Sequence, residues 1–313
     1  MRLDVHQHLW SEPLVAALSR RRSAPRIRRE GLLWRLDLPG EPTCRIDVDG
    51  DDPERRAGLV HLDGLDRALV CLSSALGVEA LPEDSARPLL DAYLEGAAAL
   101  PDTFGAWASL GLRDAEPADV DAALDRGAAG LCLPSGALAS AGAVERCGPL
   151  LERLERRGAP LFVHPGPDPR AVPLRANGRI AEWWPAMTDY VAGMHAAWHA
   201  VVAYGRPGHP ELRVVFAMLA GGAPLHVERL AARGGPAERA IDRHLFYDTS
   251  SYGRRMIDAM VRVVGVDQLV HGSDRPVVAP LAPPGPLGEA AWDAMTRRNP
   301  ARLLFAEREA VAA

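Results

Sequence analysis

The residues best suited to chemistry come first in the chain. His6 and His8, in DVHQHLW (4–10), sit two apart within an alternating apolar pattern. On a strand, side chains alternate faces, so both imidazoles point the same way with Cα atoms about 7 Å apart. A divalent metal bonded at about 2.0–2.1 Å to each nitrogen needs that separation. His164 ends an apolar run in FVHPG, and Asp274 ends another in HGSDRP. If those runs are strands of one barrel, their C-terminal ends converge on one face, where an active site is built. The result is three neutral nitrogens and one carboxylate around one cavity, a donor set that suits zinc and tolerates manganese or iron.

The elements that must position these residues are legible as alternating patterns. Apolar runs read as strands near 3–8, 67–73, 104–112, 127–133, 160–165, 212–219, 245–251 and 268–274. Most are separated by stretches of helical period, such as GPLLERLERRG (148–158) and PLHVERLAARGG (224–235). Eight strands alternating with helices predict an α/β fold, a single (β/α)8 TIM barrel over 1–306, with 307–313 as a tail. The alternative, an open doubly wound sheet, lacks its GxGxxG turn. Two connections exceed plain crossovers. Residues 11–60 hold SRRRSAPRIRRE, read as solvated surface, and LLWRLDLPGEPTCRIDV, read as a hairpin turning at Pro39-Gly40. Residues 166–211 hold Trp183, Trp184, Tyr190, His195, Trp198 and His199. Both are expected to be insertions on the active-site face.

Composition removes other classes of function. The 313 residues are 48% hydrophobic with a net charge of −5, which argues against a nucleic-acid binder. No run approaches a membrane span and no signal-peptide core follows Met1, so a cytoplasmic protein is expected. Cys44, Cys71, Cys132 and Cys147 fit no CxxC spacing and read as reduced thiols. There is no lysine: all 36 Lys+Arg residues are arginine. Schiff-base chemistry and the P-loop lysine are therefore absent.

The pattern resembles the amidohydrolase superfamily, specifically its "amidohydrolase 2" branch of mononuclear barrel enzymes. The matching elements are DVHQHLW, FVHPG, YDTSS (247–251), GSDRP (272–276) and NPARLLF (299–305), in order along essentially the whole chain. The resemblance implies that His6, His8 and His164 hold one metal ion, while Asp274 touches it and takes the proton from activated water. Two-metal members use a carboxylated lysine; here only Cys132 could bridge, so one ion, zinc first, is expected. The branch usually carries a histidine after the sixth strand in an HxGG pattern, and Leu219 of FAMLAGGAP stands in its place.

Other residues are weighed as substrate contacts. Arg275 could fork onto a carboxylate or anchor its loop. Trp10 could wall the pocket, and Trp183 with Trp184 would suit a flat aromatic substrate. Ser250 or Ser251 could offer a hydroxyl. His195 and His199, four apart, share a helical face that either lines the pocket or packs. The expected function is metal-dependent hydrolysis of an ester, lactone or amide in a small-molecule substrate. The alternative is non-oxidative decarboxylation of a small carboxylic acid, and the third reading is a barrel without catalysis. No nucleic acid or membrane partner is expected; barrels of this type often pair, so a homodimer is the expected assembly.

Overall fold

The computed structural model describes residues 1–168, 180–278 and 287–305. Eight parallel strands form the barrel: β1 (Leu3–Gln7), β5 (Arg67–Val70), β6 (Phe104–Ala106), β7 (Leu131–Pro134), β8 (Leu161–His164), β9 (Val214–Phe216), β10 (Leu245–Asp248) and β11 (Leu269–Val270). Three more, β2 (Arg26–Glu30), β3 (Leu33–Asp37) and β4 (Cys44–Ile46), lie in the first insertion. The barrel strands form two arcs, β1-β5-β6 and β7-β8-β9-β10-β11. Bridges at Ala108↔Leu131 and Gln7↔Arg275 join the arcs into a closed ring. Around the second bridge, Val5 N donates to His271 O (2.9 Å), Asp274 N to His6 O (2.9 Å) and His8 N to Arg275 O (2.6 Å).

The strands are apolar on both faces because the interior and the surrounding helices cover both sides. Trp107 fills the interior, fully buried, with Nε1 donating to Val5 O at 2.9 Å and its ring 5.2 Å from Phe162. The outer helices follow the expected periods. In the helix Ala141–Arg157, Val144, Cys147, Leu150, Leu151 and Leu154 are buried on one face. Ser140 caps its start through Ala143 N, and Gly158 ends it in the left-handed region (φ 58°).

Three expectations are corrected. The ladders are shorter than predicted: 268–274 pairs only over Leu269–Val270, because the chain leaves the ladder where it delivers site residues, with Asp274 at φ 57°. The first insertion holds three antiparallel strands rather than one hairpin, since the basic Arg26–Glu30 pairs with β3 across Gly31-Leu32. Its charges are matched: Asp37 accepts from both Arg26 Nε (2.6 Å) and Arg28 Nε (3.2 Å). The helix expected at 224–235 is confined to Val227–Ala232. A left-handed run precedes it: Met218, Leu219, Ala220, Gly221 and Gly222 at φ 44°, 52°, 53°, 64° and 84°. The expected tail, 307–313, lies outside the described residues, as does the part of the second insertion at 169–179.

A polar contact joins the two insertions. Tyr190 Oη, in the first turn of the helix Asp189–Ala200, donates to both oxygens of Glu41 (2.9 and 3.1 Å) in the β3–β4 turn. Burial pushes the Glu41 carboxyl up to about 7 from 4.5, the Tyr190 bond opposes this, and the charge of Asp189 adds to it. The folded state therefore binds the extra proton between 4.5 and 7, and docking weakens as pH rises through that window. Hydrogen exchange of residues 38–43, corrected for intrinsic rate, should quicken from about pH 5 to about pH 8 in the native protein. In Glu41→Gln, which stays neutral, that extra dependence should vanish; an unchanged profile would acquit Glu41.

Candidate metal centre

His6 and His8 lie on and just past β1, and both are buried. Gln7, between them, faces outward, where Arg56 Nη2 donates to its Oε1 (2.6 Å) and its Nε2 donates to Asp4 Oδ2 (2.8 Å). Asp4 Oδ1 accepts from His6 N (3.0 Å) and Ser273 N (3.1 Å), locking β1 to the segment that carries Asp274. His164 closes β8. The three imidazoles stand edge to face with ring centroids 5.0, 5.1 and 5.1 Å apart. Phe162 lies beneath them, 5.0 Å from His6.

Each Nδ1 has an acceptor outside the cluster. His6 Nδ1 meets Asp248 Oδ2 at 2.7 Å, His8 Nδ1 meets Cys71 O at 2.9 Å, and His164 Nδ1 meets Pro165 O at 2.8 Å. An Nδ1–H directed at each acceptor leaves the Nε2 lone pairs for the centre. There His6 Nε2 and His8 Nε2 are 3.2 Å apart, and Asp274 Oδ1 lies 3.5 and 3.1 Å from them. Cys71 also belongs to this group: one donor atom from each of His6, His8, Cys71 and His164 falls within 4.8 Å of the others. Lone pairs and a carboxylate packed this closely in a dry site repel one another unless a cation lies among them.

The electrostatics give the same answer. Burial pushes His6 down, but Asp248, Asp274 and Asp4 outweigh it and raise the imidazole to about 9. Burial pushes Asp274 up, but His6 and His8 outweigh it and hold the carboxyl at about 2. His164, with burial and the charges of His6 and His8 against it, is driven well below its ordinary value and stays neutral. The surrounding carboxylates favour a positive charge at the centre. These residues therefore fit a divalent metal, whose ligands are neutral histidines and carboxylates.

Asp248 is a residue beside the centre that the sequence reading passed over. It lies fully buried in YDTSS, a stretch noted only for its resemblance, and accepts from His6 Nδ1, Met218 N (2.9 Å), Ser250 N (2.9 Å) and Ser250 Oγ (2.5 Å). Four donors on one carboxylate fix the tautomer and plane of His6. Asp248→Asn is expected to weaken metal affinity about 10–100-fold, measured by competition with a chromogenic chelator. Unchanged affinity would mean that His6 orients without it.

The proposed substrate contacts fare differently. Ser250 supports Asp248 rather than facing the centre, whereas Ser251 Oγ reaches Asp274 Oδ2 at 3.4 Å. Arg275 follows Asp274 but alternates outward, and its Nη2 pairs with Asp63 at 2.7 Å; it anchors its loop. Trp10 is buried in the second core with Leu14, Leu18 and Leu76, and its backbone N–H donates to Asp51 (2.6 Å). Trp183 is 60% exposed, its ring 5.6 Å from Trp184. His195 Nε2 meets Gly221 O at 2.9 Å, and its ring neighbours are His199 and His226, not the buried imidazoles. Leu219 is fully buried in the main core and puts no polar atom at the centre.

No protein-family model and no curated protein matches the sequence. Solved structures do match. IDCase from Metarhizium anisopliae, in apo form, aligns at a TM-score of 0.77 with 17% identity, covering 97% of each chain. 5-Carboxyvanillate decarboxylase from Novosphingobium aromaticivorans, complexed with manganese and a nitrobenzoic acid, aligns at 0.72 with 16% identity, over 97% of this chain and 96% of that one. An amidohydrolase II aligns at 0.70 with 18% identity, over 97% and 99%. The chain shares the barrel fold of these structures. In this barrel, His6, His8, His164 and Asp274 lie at the C-terminal ends of the first, fifth and eighth barrel strands, the face on which (β/α)8 barrels place their chemistry. Among the described residues, no helix is long and apolar enough to cross a membrane.

Proposed function

We propose that this protein is a metal-dependent, non-oxidative decarboxylase of a small carboxylic acid. The observation that carries the reading is the buried centre of three Nε2 atoms and Asp274, on a barrel that a manganese-bound decarboxylase follows over 97% of the chain. It takes the alternative expectation from sequence above hydrolysis. His6, His8 and His164 would hold the cation, with Asp274 beside it. When bound, a divalent cation supplies Lewis-acid polarisation of the substrate oxygens. Zinc suits three imidazoles, and manganese is what the neighbouring structure holds.

The remaining work falls to the chain's own groups. Asp274, held at about 2, is ionised at neutral pH and acts as a base. It accepts a proton from solvent and returns it to the substrate carbon as the C–C bond breaks: R–CO2⁻ plus H⁺ gives R–H plus CO2. Ser251 Oγ steadies the second oxygen of Asp274. Phe162 packs against the His6 ring and excludes water from that side of it.

Hydrolysis is the second reading, and Leu219 favours it, because it stands where the family resemblance expects a histidine and offers the centre no imidazole to assist loss of CO2. The deciding experiment offers the metal-loaded protein a panel of small aromatic acids beside esters and lactones. CO2 release with loss of the acid supports the proposal. Cleavage of esters or lactones with no CO2 from any acid would replace it with the second reading.

A further inference from the structure

We infer a second metal site on the outer layer of the barrel, formed by His195, His199 and His226 and selective for a borderline transition-metal ion such as Zn²⁺. This site is separate from the buried centre and does not depend on the function proposed for it. His195 and His199 lie one turn apart on the helix Asp189–Ala200, and His226 stands where the chain enters the helix Val227–Ala232. Two histidines at i and i+4 present both rings to one side, the arrangement by which a single helix offers two metal ligands.

Tetrahedral coordination at about 2.0–2.1 Å per nitrogen places imidazole centroids roughly 5.2 Å apart. The buried centre shows 5.0–5.1 Å. In the outer cluster, His195 and His226 are already at 5.4 Å, with planes inclined by 62°. His195 and His199 are at 6.5 Å, so bringing that side to the same spacing takes a shift of about 1 Å in His199.

That shift would move the His199 ring on its edge contact with the buried Trp198, now 4.9 Å between centroids. Among the described residues, the side chains of His199 and His226 have no hydrogen-bond partner, whereas His195 is oriented by Nε2–H donating to Gly221 O, which leaves its Nδ1 lone pair available. His226 is exposed and the other two are half-buried, so an ion reaches the cluster from solvent. Burial, then the nearby His195 and His226, push the His199 imidazole below its ordinary value, which keeps it neutral and ready to ligate. Imidazole-only donors select zinc, copper or nickel over magnesium and calcium.

The test counts metal. The full chain, stripped with chelator and dialysed against Zn²⁺, should take up two equivalents. His226→Ala, at an exposed position, and His199→Ala should each reduce the count to one, while His6→Ala should also leave one, held by the outer site. Cu²⁺ bound to the His6→Ala protein should show nitrogen hyperfine structure that His226→Ala removes. A wild-type protein binding one equivalent that only His6→Ala abolishes would overturn the inference. So would a second equivalent unaffected by both outer substitutions.

Discussion

Replacing Asp274 with asparagine is expected to lower turnover about 10²–10⁴-fold, the usual contribution of a positioned acid–base group. Asparagine keeps the shape and the left-handed backbone (φ 57°) but cannot take up a proton. The three imidazoles and their Nδ1 partners are untouched, so the variant should still bind metal, and the loss should fall on kcat. Turnover within a few-fold of wild type, at equal metal content, would remove Asp274 from the chemistry.

The second large effect lies on the outward face of β1. Arg56 is 3% exposed; its Nη1 pairs with Asp51 Oδ1 and its Nη2 with Gln7. Asp51 in turn accepts the backbone N–H of Trp10. Arg56→Ala would leave the Asp51 carboxylate buried without its counter-charge and Gln7 without its donor. Breaking a buried pair in this way costs about 3–5 kcal/mol. Urea unfolding should show the midpoint falling at unchanged slope. Because Gln7 sits between His6 and His8, metal affinity should fall with stability. A loss below about 1 kcal/mol, the level of an exposed pair, would show that water replaces the guanidinium.

That His6, His8, His164 and Asp274 gather in one place was readable because the signals are local. The spacing of His6 and His8, and the strand-ending places of His164 and Asp274, follow from period two and the barrel rule. Their supports were not readable, because Asp248, Arg56 and Cys71 act through partners as far as 242 residues away in sequence. Nothing near Arg275 in sequence says that Asp63, 212 residues distant, claims its guanidinium. Trp10 reads as a pocket wall only if its neighbours are unknown; the first insertion folds over it and makes it core. The basic run at 20–30 reads as surface by composition, yet its alternation is that of a strand, and pairing with β3 brings it within reach of Asp37. The left-handed run at 218–222 left one trace in the sequence, its pair of glycines, while Met218, Leu219 and Ala220 adopt that backbone against their own preference.

The way the barrel closes carries a mechanical consequence. β1 and the segment after β11 are joined by few main-chain bonds, and this is the seam that His6 and His8 flank on one side and Asp274 on the other. An ion drawing on all three would act as a hoop. Loading at a hundred times its dissociation constant tightens the ring by about 2.7 kcal/mol, since the unfolded chain offers no assembled site. The metal-free barrel would accordingly part first along this line, at the amides of Val5, His8 and Asp274, before its helices loosen.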